Sequence, residues 1–259
     1  MTPLLIAVLA LAGLLIGPLL RLIVVRLSVP AGEPWRTTCP ACDASLPPAK
    51  PAKTAPGPAA RLPWLPALPP TGRCRSCHDR LGPPALSVEL TAAVVLGLLA
   101  ARIHPALVLA AACWLAACLI PLAFIDASTR RLPDLLTAPA YLGTAGLLLA
   151  AAATGDGGHW PTLGRALLGG LAYLGFCLVL FLISPAGMGF GDVKLAASLG
   201  TALAWFSWGT LLTGAFAGFV VGALCSIALL AAGRATRKTQ IPFGPFMIVG
   251  TLLVLLLAR

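Results

Sequence analysis

Charge is scarce in this chain. Asp, Glu, Lys and Arg make up only 10% of its residues, against about 25% in a soluble domain. Hydrophobic residues fill 59% and the mean hydropathy is +0.94. A soluble core of this length could not hide so many leucines and alanines, so a soluble globular domain is excluded and a polytopic membrane protein is expected. Other absences narrow the chemistry. There is no His-Glu-x-x-His for a zinc protease, no Gly-x-Ser-x-Gly for a serine hydrolase and no Walker loop for a nucleotide. Met1–Leu20 is apolar but has no basic start, and no small-residue cleavage site precedes Arg21. It therefore reads as a retained first span rather than a signal peptide.

A span needs roughly 20 mostly apolar residues. Runs long enough, or nearly so, are Pro3–Val25, Leu86–Ala101, Ala106–Ile125, Leu135–Ala153, Leu163–Ile183, Leu195–Trp208, Leu211–Ala232 and Phe243–Ala258. The expected fold is all-α, a membrane bundle of about eight helices. Leu195–Trp208 is the weakest run, with Gly209 and Thr210 left for a tight reversal. Three units are expected: residues 1–27 as a first span, 28–85 as a polar cysteine loop, and 86–259 as a membrane-embedded domain.

The net charge is +10. Fourteen basic residues fall in alternate loops on the side of the cysteine loop: Arg26, Arg36, Lys50, Lys53, Arg61, Arg73, Arg75, Arg80, Arg130, Arg131, Lys194, Arg234, Arg237 and Lys238. Only three, Arg102, Arg165 and Arg259, fall on the other, while Arg21 lies within the first span. Positive loops stay inside, so that side is expected to face the cytoplasm and its anionic lipid. No aromatic-interleaved basic surface accompanies the charge, so no nucleic-acid partner is expected.

This orientation brings two acids to one face. Asp126 ends the third run and Asp192 precedes the sixth. Charge at a bilayer edge is costly and points to function. Asp126 sits at a helix C-terminus, where the dipole disfavours an anion, with Arg130 as its local compensation. Asp192, in Gly189-Phe190-Gly191-Asp192, reads alone equally as an N-cap or as a site. As a pair, two close carboxylates share a proton. One ionised member can then activate water while its protonated partner polarises a peptide carbonyl. The glycines would let a substrate backbone approach. Pro133 suits the first turn of the next helix and Asp134 its N-terminal charge.

The cysteines divide by setting. Cys113, Cys118, Cys177 and Cys225 lie in apolar runs and read as core packing. Cys39-Pro-Ala-Cys42 and Cys74-Arg-Ser-Cys77 are two knuckles in the polar loop. Four thiolates at this spacing suit a closed, structural zinc site, a redox pair being the alternative. His78 reads as a solvated loop residue, and His104 and His159 lie in outer loops. Leu46–Thr71, between the knuckles, is a Pro/Ala-rich insertion in which Trp64 and Leu65 could rest on the membrane.

Taken in order, these motifs resemble the prepilin peptidases, the bifunctional type IV leader peptidases/N-methyltransferases of the bacterial inner membrane and members of the Gly-x-Gly-Asp aspartic proteases. The resemblance rests on Cys39-Pro-x-Cys42, Gly72-Arg73-Cys74-Arg75-x-Cys77 and Val88-Glu89-Leu90. It continues through Ile125-Asp126, Leu132-Pro133-Asp134-x-x-Thr137 and Gly187-Met188-Gly189-Phe190-Gly191-Asp192-Val193-Lys194. It implies Asp126 and Asp192 as catalytic aspartates, Gly189, Gly191, Lys194 and Asp134 as supporting residues, and Cys39, Cys42, Cys74 and Cys77 as zinc ligands. The implied substrate is a prepilin or pseudopilin, cut after the glycine ending its basic leader. The new amino terminus is then methylated with S-adenosylmethionine. The chain departs from the family where Gly-Ser-Phe-Leu-Asn is usual, having Gly17-Pro18-Leu19-Leu20-Arg21. It departs again between the knuckles, where only Pro63-Trp64-Leu65 is reminiscent of the usual residues. Both departures fall in the half associated with methylation. A peptidase without methylation, and a non-catalytic transporter or scaffold with a zinc loop, are the competing readings.

Overall fold

A computed structural model of the chain describes residues 3–30, 32–46, 71–74, 76–154, 159–185, 187–234, 236 and 241–257. The Pro/Ala-rich insertion, with Trp64 and Leu65, lies outside the described residues except for its two ends. So do Lys50, Lys53, Arg61, Arg75, Arg237, Lys238 and Arg259.

The described residues form eight helices and no strand beyond two isolated bridges. They are α1 (Pro3–Leu27), α2 (Ser87–Arg102), α3 (Ala106–Thr129), α4 (Asp134–Thr154), α5 (Trp160–Ile183), α6 (Phe190–Phe206), α7 (Trp208–Ala231) and α8 (Gly244–Leu257). Each answers to one apolar run. Five of them, α1, α3, α4, α5 and α7, are long and apolar enough to cross a bilayer. The others have 16, 17 and 14 residues. At 1.5 Å per residue they reach about 21–26 Å, short of the roughly 30 Å hydrocarbon core. For α6 the reason is burial. Leu195, Leu199, Leu203 and their neighbours are sealed among α3, α4, α5, α7 and α8, so α6 needs no lipid-facing length.

Helix ends differ from the apolar runs. The third helix runs past Asp126 to Thr129, and α6 opens at Phe190, well before Leu195. The reversal between α6 and α7 falls on Ser207 rather than on Gly209 and Thr210. Its hydroxyl accepts from the Thr210 N–H at 2.9 Å and caps α7. Pro133 lies just outside α4, its carbonyl accepting from Leu136 and Thr137, so it caps the helix rather than occupying its first turn.

Lipid tails give no hydrophobic drive between helices, so close contact depends on small residues. A methyl on Gly13 would lie 2.6 Å from the Ala92 carbonyl oxygen, and one on Gly17 2.7 Å from the Glu89 Cα, so α1 and α2 touch through them. Gly169, Gly170 and Gly200 join α5 to α6, and Gly218 and Gly250 join α7 to α8. The indole of Trp114 fills the space above Gly143 and donates to the Pro139 carbonyl at 2.8 Å, fixing α3 on α4.

One end of the bundle collects the C-termini of α1, α3, α5 and α7 and the N-termini of α2, α4, α6 and α8. Ser128 reaches Ser28 at 3.3 Å, and Arg131 donates to the carbonyls of Val29 and Pro30, which ties the α3–α4 turn to the cysteine loop. Both aspartates and the knuckles therefore share this end.

Candidate active site and metal centre

The last turn of α3 presents Asp126, and the first turn of α6 presents Asp192. Each is only 5% exposed. Asp192 is the third residue of its helix rather than the N-cap, which is Gly189. Its Oδ2 accepts from the Gly189 N–H at 3.1 Å, half of a capping box. Its other oxygen, Oδ1, is buried and has no hydrogen-bond partner among the described residues, and Asp126 Oδ2 is in the same state. The capping and site readings of Asp192 are thus divided between its two oxygens.

The two free oxygens meet at the start of α8. A methyl on Gly244 would lie 2.7 Å from Asp126 Oδ2 and 3.2 Å from Asp192 Oδ1. The Gly244 backbone N–H faces Asp126, and the two carboxylates are close enough for their charges to interact. Asp126, placed against the dipole of its own helix, thus lies at the positive end of α8. Arg130 binds back to Asp126 only through its backbone N–H, at 2.8 Å, and no side-chain ion pair joins the two among the described residues.

A cavity of 740 Å³ adjoins the pair, walled by both aspartates, Arg130, Leu132, the Gly187–Gly189 turn, α7 around Gly222 and Ser226, and Phe243 and Phe246. Such a volume suits a ligand of several residues. Both motif glycines, Gly189 and Gly191, line the cavity. Gly191 gives its space to the α3–α4 turn, where a methyl would lie 2.8 Å from Leu132 Cβ. Lys194 and Asp134 form an exposed ion pair at 2.7 Å, with the Lys194 ammonium 5.1 Å from the Phe190 ring centre. They lie outside the cavity and join α4 to α6.

The knuckles are near copies. In each, the N–H of the first cysteine donates to a carbonyl five residues on: Cys39 to Ala44 and Cys74 to Asp79, both at 2.8 Å. Asp43 and His78 take the same left-handed position, with φ 54° and 59°. His78 is exposed and serves that turn. The four sulfurs lie within 4.8 Å of one another, with Cys39–Cys77 at 3.8 Å and Cys42–Cys74 at 3.7 Å. A tetrahedral site with 2.3 Å Zn–S bonds requires about 3.8 Å between sulfurs. The cluster can therefore hold a metal ion.

Two features were not foreseen. One is the Ile241-Pro242-Phe243-Gly244-Pro245 entry to α8, whose signal was a glycine flanked by prolines beside an apolar run. The other is Arg21. It is fully buried, with Nε and Nη2 donating to Glu89 at 2.8 and 2.7 Å, and Nη1 and Nη2 to the carbonyls of Pro83 and Pro84.

Fold and site together define a helical membrane protein of the aspartic-peptidase class. Residues 113–230 match the type IV leader peptidase family. A prepilin leader peptidase/N-methyltransferase of Burkholderia pseudomallei (strain 1026b) is 31% identical over 92% of the chain and 81% of its own length. One from Aeromonas salmonicida (strain A449) is 35% identical over 71% of the chain and 62% of its own length. A third, from Pseudomonas aeruginosa, is 29% identical over 95% of the chain and 88% of its own length. No solved structure matches. The chain belongs to the type IV leader peptidase family.

Proposed function

We propose that this protein cleaves the basic leader from prepilins or pseudopilins at the cytoplasmic face of the bacterial inner membrane, with Asp126 and Asp192 as the catalytic pair. The observation that carries this reading is the convergence of two buried, unpartnered carboxylate oxygens on one point beside the cavity. One carboxylate is ionised and takes a proton from water, whose oxygen bonds to the scissile carbonyl carbon. The other donates its proton toward the carbonyl oxygen. The tetrahedral centre then collapses, the C–N bond breaks, and a proton passes to the leaving amine. Residues 86–259 would form the peptidase unit, and 28–85 a loop module attached through α1.

We also propose zinc as the metal of the four-cysteine cluster. With all four positions taken by thiolates it would staple the loop and leave no open position for catalysis. Methylation is less supported by the residues present. Arg21, where the family's asparagine is usual, is fully buried and spends most of its donors on Glu89 and two proline carbonyls rather than presenting a polar group to S-adenosylmethionine.

Co-expression with a prepilin, followed by intact-mass measurement of the pilin, tests the reading. Loss of the leader mass is expected, and an added methyl mass would report N-methylation. Unprocessed prepilin would overturn the peptidase assignment and favour a scaffold or transporter.

A further inference from the structure

We infer that Gly244 is a positioning residue whose missing side chain sets the place of both carboxylates. The inference rests on reading Asp126 and Asp192 as the cleaving pair. Gly244 is the first residue of α8, and its backbone is not in the left-handed region that would require glycine; among the described glycines only Gly32, Gly72, Gly82 and Gly233 are. Helix propensity there favours alanine. The reason for glycine lies instead in what surrounds it. A methyl would lie 2.7 Å from Asp126 Oδ2 and 3.2 Å from Asp192 Oδ1, closer than carbon and oxygen can approach without movement. Among the described residues these are the two buried carboxylate oxygens with no hydrogen-bond partner.

What the methyl meets decides the outcome. On Gly250 it would meet the Gly218 backbone of α7, and the helices themselves would have to part. On Gly244 it meets the ends of two short side chains, which can rotate away. The fold therefore absorbs the change and the carboxylates do not keep their places. Catalytic groups tolerate displacement of only about 0.5 Å. Gly244 thus holds open the point where the attacking water and the scissile carbonyl must sit.

The test is Gly244→Ala, purified in detergent beside wild type, Asp126→Asn and Gly175→Ala, and assayed on a prepilin peptide spanning the cleavage site. Gly175 has open space where its methyl would lie. G244A is expected to lose about a hundredfold in kcat, with KM within about threefold and an unchanged Tm, while G175A matches wild type. Wild-type kcat in G244A would overturn the inference. So would a fall in Tm and activity that Asp126→Ala does not relieve, which would make Gly244 structural. A stability cycle keeps the question open to refutation if G244A folds poorly. Asp126→Ala removes the carboxylate the methyl meets, so G244A/D126A should recover the Tm of D126A, whereas additive losses would refute the role. If wild type itself leaves the peptide intact, the peptidase reading fails, and the cycle still reports on the contact.

Discussion

At the scale of single residues, the site is a problem of placing two acids where neither is comfortable. Asp126 lies at the wrong end of α3 for an anion, and Asp192 has one oxygen in a cap and the other without a partner. The positive ends of α6 and α8 both arrive at this point, which offsets part of the cost. Asp126→Asn and Asp192→Asn keep shape and volume but cannot share a proton. Each should lower cleavage by at least about a hundredfold with Tm within a few degrees, as read by pilin mass and thermal unfolding in detergent. Cleavage near the wild-type rate in either variant would remove that residue from the pair. Gly189-x-Gly191-Asp192 was visible as a motif in the chain. That Gly191 accommodates Leu132 was not, because Leu132 reaches it from a turn between two other helices.

At the scale of helices, contact is made by glycine and polarity is confined to a few ties. Gly250 against Gly218 lets α8 lie on α7, and α8 in turn carries Gly244 to the aspartates. Gly250→Ala should therefore cost about 1–3 kcal/mol through overpacking and lower Tm and activity together, unlike Gly244→Ala. An unchanged melting curve would show the helices able to part freely. The Arg21–Glu89 pair joins α1 to α2 and to the end of the cysteine loop. Glu89→Ala leaves a buried guanidinium without its carboxylate, and should destabilise by about 3–5 kcal/mol. Replacing both partners with leucine should restore much of that loss; denaturant unfolding of the two variants decides it.

At the scale of the whole molecule, charge and the candidate site share one end. Among the described residues Arg26, Arg36, Arg73, Arg80, Arg130, Arg131, Lys194 and Arg234 lie with the aspartates and knuckles, while Arg102 and Arg165 lie at the other. Arg165 there donates to the carbonyls of Ala204, Trp205 and Phe206 and closes the end of α6. With the charged end in the cytoplasm, an alkaline phosphatase fused after His104 should be active and one fused after Arg234 inactive. The reverse pattern would invert the orientation. The cysteine module packs on the end of α1 through Leu22, Val25 and Leu81. Cys39→Ser should lower bound zinc well below one per chain by elemental analysis; undiminished zinc would exclude Cys39 as a ligand.

Composition alone was enough to determine a helical membrane protein, because so little charge and so much leucine and alanine leave no soluble alternative. The order of apolar runs and the bias of Arg and Lys put Asp126 and Asp192 at one face, since alternate loops must share a side. The knuckles were equally plain, as paired Cys-x-x-Cys spacing is local. Local pattern does not report which helix end approaches which. The arrival of Gly244 between the two carboxylates, the partner of Arg21, and the burial that lets α6 be short all depend on contacts between distant segments. Those contacts are set by how glycine-lined helices pack on one another, which only the tertiary structure decides.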